Sequence, residues 1–249
     1  MIIDIHAHLW LGREEENKKT LVETAKRCGI DRVYVSTLNA HVPDQEEIRL
    51  ANEATAKLIQ ENPTLFGGAV YVNPDHDNTD EVMRKGVEEQ GMEMVKVWVS
   101  TFADTPAMFR MAEGAIDLNV PLLIHAMHKA TGQLTFENTG EQVAVLAKRY
   151  PNLSILMAHM GGNVYQGLTA IRPYENVSVD ISMSIVRGDD FSYCLEQLGA
   201  KRILFGTDMP GVGYQRKISQ VEEANLSQEE KDLVYYKNAL RLLHREDLS

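Results

Sequence analysis

The chain predicts a (β/α)8 barrel, and three observations predict it. Strand-like runs alternate with amphipathic, helix-like runs along all 249 residues. Eight strand-like runs occur, the number that closes a parallel barrel in a chain of about 250 residues. Within single runs, alternate residues separate into an apolar set and a polar set, as strands between a barrel interior and a helix layer require. No Pro/Gly/Ser-rich break, repeat or low-complexity tract divides the chain, so residues 1–249 read as one domain. A doubly wound open sheet is the competing arrangement, but the turn after the first strand lacks the glycine-rich fingerprint that a dinucleotide fold would carry.

The first strand, residues 2–7 of MIIDIHAHLW, alternates Ile3, Ile5 and Ala7 with Asp4, His6 and His8. Period two therefore predicts that the apolar set faces the helices and that Asp4, His6 and His8 face the barrel axis. Glu14 to Glu16 read as the charged approach to a helix. A second strand at 32–37 precedes a helical run at 46–61, and a third at 65–72 precedes one at 79–89. The fourth strand, 93–99, sets Val95, Val97 and Val99 against Met94, Lys96, Trp98 and Ser100, which turns Lys96 and Trp98 toward the axis. After a helical run at 106–118, the fifth strand at 120–126 carries His125, and a helix follows at 139–150. The sixth, 153–159, ends at His159, with Gly161 and Gly162 behind it for a tight turn. In the seventh, 177–181, Ser178, Asp180 and Ser182 share the inward face, and a helix follows at 191–198. The eighth, 202–206, leads to Asp208 and then to the longest loop, which lies over the active-site face as a candidate lid. A helical run at 228–243 closes the pattern.

Composition narrows the partners. With 36 acidic against 25 basic residues the formal charge is -11, and no basic stripe offsets it, so a nucleic-acid surface is not expected. The opening segment lacks the features of a signal peptide, and no apolar run approaches the roughly 20 residues that span a bilayer. Cys28 and Cys194 lie far apart and outside any CxxC pair, which reads as two plain thiols in a reducing cytoplasm. A small molecule is the expected partner.

Active sites of this fold sit at the C-terminal ends of the strands. Four of the eight histidines, His6, His8, His125 and His159, fall at such ends, as does Asp208, and packing alone does not account for that concentration. Same-face histidines about 7 Å apart along a strand can reach one ion through bonds of about 2.0–2.1 Å. Asp4 would orient a ligand histidine from behind. Lys96 reads as a cation for a substrate carboxylate, or else as half of a buried ion pair with Asp180. Trp98 reads as a wall for a planar substrate and Arg187 as a carboxylate clamp. His128 and Arg13 are lesser candidates near the mouth, and His41 reads as solvated.

The HxH of strand one, the histidines ending strands five and six, and the aspartate of strand eight resemble the amidohydrolase superfamily. DIHAHLW, AHMGG, FGTDMP and the terminal YKNALRLL are similar to its amidohydrolase-2 branch, which includes aminocarboxymuconate-semialdehyde decarboxylase, aromatic-acid decarboxylases and lactonases. The resemblance implies one divalent metal held by His6, His8, His125 and Asp208, with His159 as an acid–base group beside it. Zinc is expected first, with manganese, iron and cobalt suited to the same donors. A second metal is expected only if Lys96 is carboxylated. The first expectation for the reaction is hydrolysis of a small carboxylate-bearing amide, ester or lactone by activated water, with Asp208 shuttling the proton. The alternative is non-oxidative decarboxylation of an unsaturated or aromatic acid. The chain is short for that branch, which leaves open a homo-oligomer whose neighbouring subunit helps cover the site.

Overall fold

In the computed structural model, which describes residues 1–182 and 189–245, eight parallel strands pair in the order β1 to β8. They are β1 (Ile3–Trp10), β2 (Arg32–Leu38), β3 (Phe66–Val72), β4 (Met94–Val97), β5 (Leu122–Ile124), β6 (Ile155–Met157), β7 (Val177–Asp180) and β8 (Ile203–Leu204). The ring closes where the chain after β8 meets β1: Ile5 N–H donates to Phe205 O at 3.0 Å, Asp208 N–H to His6 O at 2.7 Å and His8 N–H to Met209 O at 2.7 Å. This is the expected (β/α)8 barrel.

Helices cover the strands from outside, and their ends follow local chemistry. α1 (Glu14–Cys28) stops at Gly29, whose φ of 68° suits a residue without Cβ. α2 (Gln45–Glu61) starts with a capping box between Asp44 and Glu47, and α5 (Gly140–Arg149) with one between Thr139 and Gln142. α4 (Pro106–Asp117) combines a Thr105 cap with proline in its first turn. α3 (Thr79–Arg84), α6 (Val164–Ile171), α7 (Asp190–Leu198), α8 (Tyr214–Glu222), α9 (Gln228–Asp232) and α10 (Asn238–Leu242) complete the set. Among the described residues no helix is long and apolar enough to cross a membrane.

Two expectations need correction. The stretch after Asp208 is not loop throughout: α8 buries Tyr214, Lys217 and Val221, and so belongs to the helix layer. Those positions recur at i, i+3 and i+7, helical spacing that a lysine in the middle disguises. The second correction concerns β1. Ile3 and Ile5 pack inside the barrel with Met94, Leu123, Leu156 and Leu204, whereas Ala7 and Leu9 join the layer beneath the helices. The inward face changes parity because β1 carries a bulge: Asp4 pairs with Val33 but Ala7 with Val35, so Ile5 and His6 together oppose Tyr34. Ile3 and Ile5 thus floor the barrel and His6 and His8 still face inward above them. On β4 and β7 the expected alternation holds, with Val95, Val97, Val177 and Val179 in the helix-facing layer.

Candidate metal centre

At the C-terminal end of the barrel, His6 and His8 leave β1, Lys96 leaves β4, His125 follows β5, His159 follows β6, Asp180 ends β7 and Asp208 follows β8. All but Asp208 are buried, and its side chain is 32% exposed, so the aspartate stands at the mouth. His159 and Asp208 have φ of 60° and 63°, a left-handed backbone uncommon outside glycine and concentrated at functional positions. Gly161 and Gly162 continue the turn after His159, as expected. A Cβ on Gly162 would come within 2.8 Å of the His128 backbone nitrogen, which shows how closely the loops after β5 and β6 stack.

Hydrogen bonds assign the proton on each of the first two imidazoles. His6 Nδ1 lies 2.8 Å from Asp180 Oδ2, and His8 Nδ1 lies 3.0 Å from the Ser36 carbonyl. A carboxylate and a carbonyl only accept, so both rings carry hydrogen on Nδ1 and present bare Nε2 atoms. Those Nε2 atoms face each other at 3.1 Å, with Asp208 Oδ1 at 3.0 Å from His8 and 3.8 Å from His6. Three acceptors converge; Lys96 Nζ, 3.1 Å from His6 Nε2, can donate to one of them, and a cation between all three would satisfy the set. Two nitrogens bound tetrahedrally at about 2.0–2.1 Å would stand about 3.3 Å apart, so the donor set fits a divalent metal. His6, His159 and Asp180 also cluster closely enough for an ion. Their atoms are already spent on one another and on Ser182, which argues for His6, His8 and Asp208 as the site.

Electrostatics agree with that assignment. Burial pulls the His6 imidazolium down to about 4, helped by the Lys96 charge and opposed by Asp180. Burial likewise lowers His125 and His159. Against burial, which favours its neutral form, Asp208 is held well below the usual carboxylate range by its nearness to His8 and the neighbouring histidines. Burial also brings Lys96 down to about 8, while Asp208 and Asp180 pull it up. Neutral imidazoles and an ionised carboxylate are the states that bind metal.

The remaining expected residues fall as follows. Lys96 Nζ is 3.1 Å from His6 Nε2, and Asp180 is engaged with His6, the His159 N–H and Ser182 instead of forming the ion pair with Lys96. Trp98 lines a cavity of about 230 Å³ together with Trp10, His41, Lys96 and Asp208. His41 is exposed, as expected, and its ring also packs 4.3 Å from Trp98. Arg13 pairs with exposed Glu16 and does not line this cavity. The His128 backbone joins the loops through Gly161 and Asn163. Arg187 lies outside the described residues. His125 belongs to neither ion-competent group among the described residues: its Nε2 bonds Glu137 Oε1 at 2.9 Å and its Nδ1 lies 3.1 Å from His159 Nε2. Asp4 supports the site through the backbone, since Oδ1 accepts the His6 and Thr207 N–H groups at 3.1 and 3.0 Å. Burial pushes its carboxyl up to about 7, against these bonds and that from the Thr207 hydroxyl.

Sequence reasoning missed Ser36 and Glu137 and gave Asp180 a different partner. The inward parity of β7 was the signal for Asp180. Glu137, a single acid in a polar loop, carried none.

A family model described as amidohydrolase matches residues 3–245. No curated protein sequence matches. Among solved structures, a 2,6-dihydroxybenzoate decarboxylase from Rhizobium superposes with a TM-score of 0.78 at 17% identity, covering 98% of each chain. A dihydroxybenzoic acid decarboxylase from Polaromonas sp. JS666, with manganese and 2-nitroresorcinol bound, gives 0.76 at 19% identity over 98% of this chain and 96% of that one. A 4-oxalomesaconate hydratase from Rhodopseudomonas palustris gives 0.76 at 19% identity over 100% and 97%.

Proposed function

The chain belongs to the amidohydrolase family, and from that premise we propose that it is a metal-dependent, non-oxidative decarboxylase of a small aromatic or otherwise unsaturated acid. The observation that carries this reading is the cavity, where Trp10, Trp98 and His41 form aromatic walls around the inward cation Lys96 and the ionised Asp208. A planar acid suits those walls, with its carboxylate toward the buried cation. The two structurally similar decarboxylases support the same choice over hydrolysis, the first expectation from the sequence.

His6, His8 and Asp208 would hold the metal, and His125 is the fourth ligand that the family resemblance implies. A bound divalent cation supplies positive charge that fixes an oxygen of the acid and lowers its proton affinity. Imidazole and carboxylate suit manganese as well as zinc, and manganese occupies the Polaromonas structure. In the reaction the bond from ring or vinyl carbon to carboxylate breaks, carbon dioxide leaves, and the carbon that keeps the electron pair takes one proton. No oxidant is consumed. Lys96 offsets the acid's charge during binding. Asp208 begins ionised, so it first takes a proton from water, whose hydroxide combines with the released carbon dioxide as bicarbonate, and then passes that proton to carbon.

The test is a panel of hydroxybenzoates and unsaturated acids, followed by carbon dioxide release, beside a panel of aryl esters and lactones followed by acid release. Metal-loaded protein is expected to release carbon dioxide, and Asp208→Asn to lose about 10²- to 10⁴-fold in kcat while remaining folded. Ester or lactone turnover without carbon dioxide would replace this reading with hydrolysis.

A further inference from the structure

The loop between β5 and α5 contains one buried carboxylate, Glu137, with a side chain only 1% exposed. A charged group is buried only when its acceptor capacity is filled, and here it is. Oε1 accepts from His125 Nε2 at 2.9 Å and from Lys129 Nζ at 2.6 Å; Oε2 accepts from the Leu134 N–H and from Gln133 Nε2, both at 3.1 Å. Because the carboxylate only accepts, the hydrogen of neutral His125 sits on Nε2. Its bare nitrogen is then Nδ1, the atom directed at His159.

We propose that Glu137 is a positioning residue of this centre: it commits His125 to the Nε2–H tautomer and turns Nδ1 into the site. Asp180 does the converse for His6 and the Ser36 carbonyl for His8, fixing hydrogen on Nδ1 and presenting Nε2. The centre thus presents imidazoles through different ring nitrogens, each set by the acceptor behind it. Lys129 neutralises Glu137, so its charge is committed to the loop and not to the acid in the cavity.

Only the kinetic part of the test rests on the decarboxylase reading. Histidine labelled with ¹⁵N in the full-length protein reports each ring's tautomer, with His125 identified by its loss in His125→Asn. Wild type is expected to show His125 as Nε2–H. Glu137→Ala should move hydrogen toward Nδ1 and lower kcat about 10- to 100-fold, the usual cost of removing a carboxylate behind a site histidine. Glu137→Gln keeps an accepting oxygen, so it should retain the tautomer and recover most of the rate. Gln133→Ala removes a loop contact but not the His125 bond and should leave both readouts unchanged. An Nδ1–H tautomer in wild type, an unchanged tautomer in Glu137→Ala, or the full loss in Gln133→Ala would each overturn the proposal. Wild type without carbon dioxide release would defeat the decarboxylase reading alone, because the tautomer is read without substrate.

Discussion

His6 shows how far a single side chain is determined by its neighbours. Asp180 accepts a hydrogen bond from Nδ1–H, burial keeps the ring neutral, and the Nε2 lone pair is left facing His8, Asp208 and the Lys96 ammonium. A centre built this way should bind close to one equivalent of a divalent transition metal per chain. His6→Ala/His8→Ala removes two of three converging donors and should bind none, as elemental analysis after purification without chelator would show. Two equivalents in wild type would instead support a carboxylated Lys96 bridging two ions. Parity brought His6 and His8 forward as candidates, and the place of Asp208 just after the eighth strand did the same for it. Glu137 was illegible, because a loop acid 12 residues from its partner has no periodic position to betray it and only the fold brings it to His125.

Among the elements, β4 and β7 were readable because each keeps a strict alternation from end to end. β1 was not, since a bulge leaves no mark in a run whose residues alternate equally well without it. The helices α5 and α6 meet through glycine: a Cβ on Gly140 would lie 2.4 Å from the Gly167 carbonyl oxygen, a backbone atom that cannot rotate away. Gly140→Ala should therefore force the helices apart at a cost of about 1–3 kcal/mol. For a chain of this length that corresponds to a Tm lower by roughly 2–12 °C in scanning calorimetry. An unchanged Tm would mean that the two helices separate freely. α8 was read as a lid because its buried lysine interrupts the apolar stripe by which a helix is normally recognised.

For the molecule as a whole, the buried groups set a direction for acid stability. His6, His125 and His159 bind protons less readily folded than unfolded, so unfolding takes up protons below the ordinary histidine range. Asp4, raised to about 7, acts in the opposite sense, one carboxyl against three imidazoles. Stability of the metal-free protein should consequently fall as pH drops from about 6.5 toward the His6 value of about 4, measured by urea unfolding at fixed ionic strength. Stability that rises over that interval would show that the carboxyl dominates. The closing seam has a different consequence. Asp4 and Thr207 are bonded across 203 positions of sequence, and His6, His8 and Asp208 sit beside that junction. Bringing such distant segments together carries a loop-closure entropy cost on the order of 5 kcal/mol. The HxH pair is made with the first strand of the barrel, yet Asp208 joins it only after the last strand has docked. On the proposed metal centre, ribosome-bound chains stalled before residue 208 should remain empty of metal.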